Sequence, residues 1–143
     1  MSRKNHFFAL LHRMKYIHRW GLMRSSRPEN VCEHTCDVAV LAHALAVIGR
    51  DVYGRDVDPS DIAAAALFHD VSEILTGDLP TPVKYINQQL SGAYKAVEQT
   101  AKERLLQTLP PELADSYHPL LFLEEENPAL YRYVKAADKL SAY

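Results

Sequence analysis

Residues Leu67 to Pro82 read LFHDVSEILTGDLPTP. An N-cap acid with proline at the first helical position, Asp58-Pro59, opens a helix before this stretch, and the apolar pattern predicts that it runs to about Leu75. His69 and Asp70 then stand side by side inside an apolar helical run, with Glu73 one turn on. Beyond it TGDLPTP breaks the chain, because Gly77, Pro80 and Pro82 oppose continuation. Within the helix Ile62, Ala66, His69 and Glu73 share one face, and Ala63, Leu67, Asp70 and Ile74 the adjoining one. A buried, unpaired carboxylate costs several kcal/mol, so these groups need partners elsewhere in the chain.

Reading outward, the pattern is helical nearly throughout. Phe7, Leu10, Met14 and Ile17 form a stripe in a first helix. A second helix covers about 30–49, with Gly49 as its C-cap. Another covers about 91–109, closed by Pro110-Pro111. A short turn of helix follows, and a last helix starts near Pro128. No segment alternates with period two. The fold class is therefore all-α, a bundle of about six helices in one domain spanning 1–143.

Polar residues recur on the faces meant for the core. In the second helix the stripe His34, Val38, Leu41, Leu45, Ile48 begins with a histidine. In the last helix Leu130, Val134 and Asp138 line up at i, i+4, i+8. Each has an ordinary reading alone: a core histidine bonded to a carbonyl, an Asp70 that caps or salt-bridges, an Asp138 paired with a neighbouring Lys or Arg. One divalent cation answers all of them together, because two imidazoles and two carboxylates make a suitable ligand set. Adjacent helical side chains diverge by about 100°, yet His69 and Asp70 can both reach an ion lodged between helices. Glu73 lies at i+4 from His69 and i+3 from Asp70. It is too far along to ligate, and suits orienting a ligand or moving a proton.

Charge is uneven along the chain. Residues 1–28 hold seven of the sixteen Lys/Arg, Arg3 and Lys4 among them, and no Asp or Glu, so the front is +7 and the remainder −9. A transit peptide, a nucleic-acid arm and one wall of an anion site all fit this pattern. The last is favoured, since the segment carries core-like apolar residues. HFFALL is too short for a secretory signal, and no apolar run is expected to reach the roughly 18–20 residues that cross a bilayer. Cys32 and Cys36 read as reduced thiols of a cytoplasmic protein. His6, His12, His18, His43 and His118 read as surface or packing residues, and Glu124–Glu126 as a solvated loop.

His34, the pair His69-Asp70, and Asp138 reproduce the H…HD…D pattern of HD-domain metal-dependent phosphohydrolases. More closely, NHFFALLHRMKYIHRWGLMR, ENVCEHT, FHDVSEILTGDLPTPVKY and VKAADKLSAY resemble the bacterial HD-domain 5′-deoxynucleotidases, the YfbR-like family. The resemblance implies an HD-domain bundle and hydrolysis of deoxyribonucleoside 5′-monophosphates in preference to ribonucleotides, with broad base tolerance. It implies one divalent metal ion, Co2+ preferred and Mn2+, Cu2+ or others accepted, on His34, His69, Asp70 and Asp138. It implies a homodimer, with no nucleic-acid polymer or membrane as partner. Members of the family continue for several more helical turns beyond the position of Asp138, so their C-terminal helical part is expected to be absent from this chain.

The resemblance places Arg19 on the phosphate, a role that its planar fork suits. The other reading is a cation at the C-terminal end of the first helix. Trp20 stacks on a base or walls off the sugar, or else is a core anchor. By resemblance Asp78, Leu79, Pro80 and Thr81 contact the nucleotide, and His34, Asp70 and Asp138 also face substrate. Asp78 is equally a turn residue bonding its own backbone. Glu73 or Asp78 protonates the departing 5′-oxygen. The rival readings are an HD phosphodiesterase or guanosine-polyphosphate hydrolase, a non-catalytic nucleotide-sensing HD domain, and a nucleic-acid binder. The last is disfavoured by the acidic remainder of the chain.

Overall fold

The computed structural model describes residues 5–143; Arg3 and Lys4 of the basic front end lie outside them. The α-helical segments among the described residues are α1 Phe7–Leu11, α2 Val31–Asp51, α3 Pro59–Ala66, α4 Glu73–Thr76, α5 Thr81–Lys84, α6 Gln88–Leu106, α7 Ala114–Leu121, α8 Leu123–Glu126 and α9 Pro128–Ser141. Short 3-10 helices cover His12–Tyr16 and Pro111–Leu113. The all-α class holds, with more and shorter helices than the six expected. Two compact units emerge. One runs to Cys32 and resumes over Val71–Asp115; the other comprises Glu33–Asp70 and Ser116–Tyr143.

In the second unit α9 packs on α3 and α8. The core joins Val38, Ala42 and Ala46 to Ile62, Ala65, Ala66, Val134 and Ala137. Its facing residues are mostly alanines, which let helices approach closely. The buried stripe of α2 therefore runs through His34, Val38, Ala42 and Ala46, whereas Ile48, expected to face inward, is 47% exposed. Gly49 is not the C-cap, because α2 continues to Asp51. It serves close approach instead: a Cβ there would lie 2.8 Å from the Tyr133 hydroxyl. By length and composition α2, at 21 residues, is long and apolar enough to cross a bilayer. That corrects the expectation of no such run; Val38, Ala42 and Ala46 of the helix are buried in this core, whereas Val40 and Ile48 are exposed.

In the first unit α4 and α5 pack on α6, over a core of Phe7, Met14, Val71, Ile74, Ala101, Leu105 and Leu109. The predicted first helix breaks into α1 and a 3-10 turn, and only Phe7 and Met14 of its four-residue stripe are fully buried. Helix α6 starts at its N-cap Asn87, whose side chain accepts from the Leu90 amide at 2.7 Å.

The start of α3 is as read: Asp58 accepts from the Ser60 amide at 2.8 Å and Pro59 holds the first position. Its end is not. The helix stops at Ala66, and residues 67–72 form successive turns before α4. In a continuing helix the Ala66 carbonyl would accept from the Asp70 amide. Here it accepts from the His69 amide at 3.3 Å and lies 2.7 Å from the His69 Nδ1. The dyad therefore sits in a turn, and the shared-face argument built on a helix to Leu75 does not hold. Gly77, at φ 72°, is the residue that closes α4, a left-handed position that favours glycine. Glu124–Glu126 belongs to a helix and not to a loop, and is exposed as expected.

Candidate metal centre

Helix α2 supplies His34 from its first turn, the turns that follow α3 supply His69 and Asp70, and α9 supplies Asp138, all within the second unit. His34 Nε2 lies 3.1 Å from Asp138 Oδ1 and 3.4 Å from Asp70 Oδ2. His69 Nε2 lies 3.0 Å from Asp70 Oδ2 and 3.9 Å from Asp138 Oδ1. The two imidazole rings are tilted, with centroids 5.3 Å apart. Candidate ligand atoms of His34, His69 and Asp70 all fall within 4.8 Å of one another. Two donors each about 2.1 Å from one ion at a right angle would be roughly 3.0 Å apart, so these spacings fit a shared cation.

Local bonding fixes which nitrogens face inward. The Ala66 carbonyl can only accept, so His69 Nδ1 carries the proton in that 2.7 Å contact and Nε2 turns a lone pair to the cluster. His34 is completely buried and its Nδ1 lies 3.3 Å from Ser141 Oγ. That hydroxyl donates to the Asp138 carbonyl at 2.8 Å, which leaves its oxygen to accept from Nδ1–H. Lone pairs from two imidazoles and charge from two carboxylates thus meet across about 3 Å. A cation between them removes the repulsion.

The electrostatics agree. Burial alone would depress the His69 imidazole, but the charge and hydrogen bond of Asp70, then Ala66 and Asp138, hold it above its ordinary value. Burial opposes ionisation of Asp70, yet His69 and His34 hold its carboxyl far below the usual range. Burial, the largest influence on Asp138, and the Asp70 charge oppose its ionisation, yet the His34 hydrogen bond and the charges of His69 and Lys135, the last with Nζ 3.4 Å away, together hold its carboxyl low. Without a metal, a proton takes the cation's place. About a quarter of each carboxylate side chain is exposed, against none of His34. The cluster is closed on its imidazole side and open on its carboxylate side.

The other sequence-predicted site residues belong to the first unit. Arg19 is not at a helix end; it lies in an irregular segment with Nη1 2.6 Å from Glu29 Oε2. Trp20 donates from Nε1 to the same oxygen at 3.1 Å. Glu73 opens α4 with Oε2 buried. Asp78, Leu79 and Pro80 are half-buried in the loop before α5, and Thr81, the first residue of α5, is exposed. That loop is held at its start by the Gly77 carbonyl, which accepts from Thr76 Oγ1 at 2.9 Å and from the Tyr94 hydroxyl at 3.3 Å. Of the histidines set aside, His6, His12, His18 and His43 are exposed, and His118 stacks on Phe122. Ser141, Glu29 and Tyr94 were not singled out from sequence. Ser141 had one signal, its place three residues after Asp138 on the inward side of α9.

Residues 6–143 match the 5′-deoxynucleotidase YfbR-like family. The chain belongs to that family. Among its YfbR-like relatives, a Vibrio cholerae 5′-deoxynucleotidase is 49% identical over 141 residues, covering 99% of this chain and 73% of that protein. The 5′-deoxynucleotidase YfbR of Escherichia coli O1:K1 is 48% identical, covering 99% and 71%. A solved HD-domain phosphohydrolase from Listeria innocua superposes with a TM-score of 0.81 at 25% identity, over 94% of this chain and 64% of that one. A cyanophage S-2L HD phosphohydrolase, bound to dA and one catalytic Zn2+ ion, superposes with a TM-score of 0.64 at 26% identity, over 94% and 66%. The YfbR-like chain thus spans slightly less than two thirds of those two solved chains.

Proposed function

We propose that this chain hydrolyses deoxyribonucleoside 5′-monophosphates to deoxynucleoside and phosphate, using one divalent metal ion. The observation that carries the proposal is the inward-facing set of His34, His69, Asp70 and Asp138, whose tautomers and charges suit a cation. Residues 1–143 are read as a single HD domain, in keeping with one family match over 6–143. The ion supplies Lewis-acid chemistry, acidifying water and neutralising phosphate charge. Co2+ is favoured by resemblance; imidazole and carboxylate donors also accept Mn2+, Cu2+ and Zn2+.

The chain's own residues bind and protonate. Arg19 grips the non-bridging phosphate oxygens with the part of its fork that Glu29 does not engage. Water oxygen attacks phosphorus, the P–O5′ bond breaks, the departing 5′-oxygen takes a proton from Glu73 or Asp78, and one proton of the water restores that carboxyl group, the other staying with phosphate. Trp20 walls off the sugar, and Asp78, Leu79, Pro80 and Thr81 contact the nucleotide, in a fit with neither room nor partner for a 2′-hydroxyl. His34, Asp70 and Asp138 also face substrate. A homodimer in the cytoplasm, without nucleic-acid or membrane partners, completes the reading. Free, exposed Cys32 and Cys36 are consistent with a reducing compartment.

Phosphate release from dAMP and AMP, by metal-stripped protein resupplied with one divalent ion at a time, tests this. Metal-dependent turnover of dAMP at least about tenfold above AMP is expected. No release with any ion, or equal rates on both nucleotides, contradicts it.

A further inference from the structure

We propose that Glu29 is a positioning residue that locks Arg19 and Trp20 into one preformed platform for the nucleotide. This rests on the nucleotidase reading above, which gives Arg19 the phosphate and Trp20 the sugar. A single atom, Glu29 Oε2, accepts from Arg19 Nη1 at 2.6 Å and from Trp20 Nε1 at 3.1 Å. The guanidinium lies over the indole ring, its Cζ 5.0 Å from the centroid, so a cation–π contact closes the triangle.

The backbone presents Glu29 for this task. The Arg19 amide donates to the Glu29 carbonyl at 2.9 Å, the Val31 amide donates to the Ile17 carbonyl at 2.9 Å, and His18 pairs with Asn30 as an antiparallel bridge. Glu29 is therefore pinned opposite Arg19 ten residues away. Trp20 has φ 66°, a left-handed conformation that bulky residues avoid unless their surroundings hold them. Those surroundings are the Glu29 carboxylate and the turn in which the Met23 amide donates to the Trp20 carbonyl at 3.0 Å. The side chains of Arg19 and Glu29 are only 13% and 19% exposed, so their bond is short, sheltered and charge-assisted. A carboxylate beside a phosphate-binding arginine weakens its net attraction for an anion. Its benefit lies in orientation, since a guanidinium held in one pose loses less freedom on meeting phosphate.

The test separates geometry from charge with Glu29→Ala, Glu29→Asp and Glu29→Gln. Aspartate keeps the charge but withdraws the oxygen by one methylene; glutamine keeps an acceptor at the same reach. Kinetics on dAMP, metal content and Trp20 emission anisotropy are measured together; Trp20 is the sole tryptophan. The expectation is a fall in kcat/KM of about tenfold or more for the Ala and Asp variants, lower Trp20 anisotropy and unchanged metal content, with the Gln variant within about threefold of wild type. Wild-type kcat/KM in the Ala or Asp variant overturns the proposal, as does loss of metal in step with activity in all three. If the wild type fails to hydrolyse dAMP, the nucleotidase reading falls separately. Trp20 emission then decides: a response to dAMP in wild type that is lost in Glu29→Asp sustains the positioning role, and no response in wild type ends it.

Discussion

Ser141 Oγ lies 3.3 Å from His34 Nδ1 while donating to the Asp138 carbonyl one turn back on α9. One hydroxyl thus links two candidate ligands from different helices and sets the tautomer of the fully buried one. Such outer contacts orient ligands, and their removal typically costs about 10–100-fold in metal affinity. Ser141→Ala is expected to weaken metal binding by that order with helix content unchanged, read by competition with a chromophoric chelator. Undiminished affinity would remove Ser141 from the design of the centre.

The protonation of the cluster predicts how binding responds to pH. His69 is held above its ordinary value, so in metal-free protein its contribution to stability is full below the unfolded pKa of about 6.5 and fades as pH rises through the folded value. Asp70 and Asp138 are held low, so their contribution is present above about 3.9 and fades as pH falls through their folded values. Metal replaces the imidazolium proton. Affinity should climb by up to about tenfold per pH unit below the raised His69 value and level off above it. Calorimetry in buffers of different ionisation enthalpy should register about one proton released per ion on the acidic side. Affinity that does not change between pH 5.5 and 8 would contradict this assignment.

Glu73 opens α4 three residues after Asp70, with its Oε2 buried. If it moves a proton, Glu73→Ala should lower kcat on dAMP by about 10²-fold or more and keep its metal. Full activity in the variant would pass the proton-donor role to Asp78; loss of metal together with activity would make Glu73 a structural residue.

The contact of Gly49 with Tyr133 makes a stability prediction outside the centre. A methyl at Gly49 would sit 2.8 Å from the Tyr133 hydroxyl and 3.4 Å from its ring, and overpacking of this kind costs about 1–3 kcal/mol. Gly49→Ala should lower the unfolding midpoint accordingly, and Tyr133→Phe in the same chain should recover part of the loss. An additive double variant in urea unfolding would mean that the two positions do not meet.

The meeting of His34 with Asp138 was legible because polar residues fell on apolar stripes: His34 ahead of Val38, and Asp138 one turn after Val134. Helix starts were legible where Asp58-Pro59 and Pro128 mark them. The break after Ala66 was not, since no glycine or proline announces it; the competing event is the His69 ring bonding the carbonyl that the helix needed. The α2 stripe was misplaced at Ile48 because close alanine packing, not residue size, decides which side is buried there. Glu29 carried no periodic signal at all. Its partners come from a β-bridge between irregular segments, which only the folded chain brings together.

Metal stoichiometry decides whether His34, His69, Asp70 and Asp138 hold one divalent ion. Purified protein, stripped and reloaded with Co2+, Mn2+ or Zn2+, should bind one ion per chain tightly, and His69→Ala and Asp138→Ala should each reduce this severely while remaining helical. An ion bound with equal strength after either substitution, or no tight binding by the intact chain, would contradict the account.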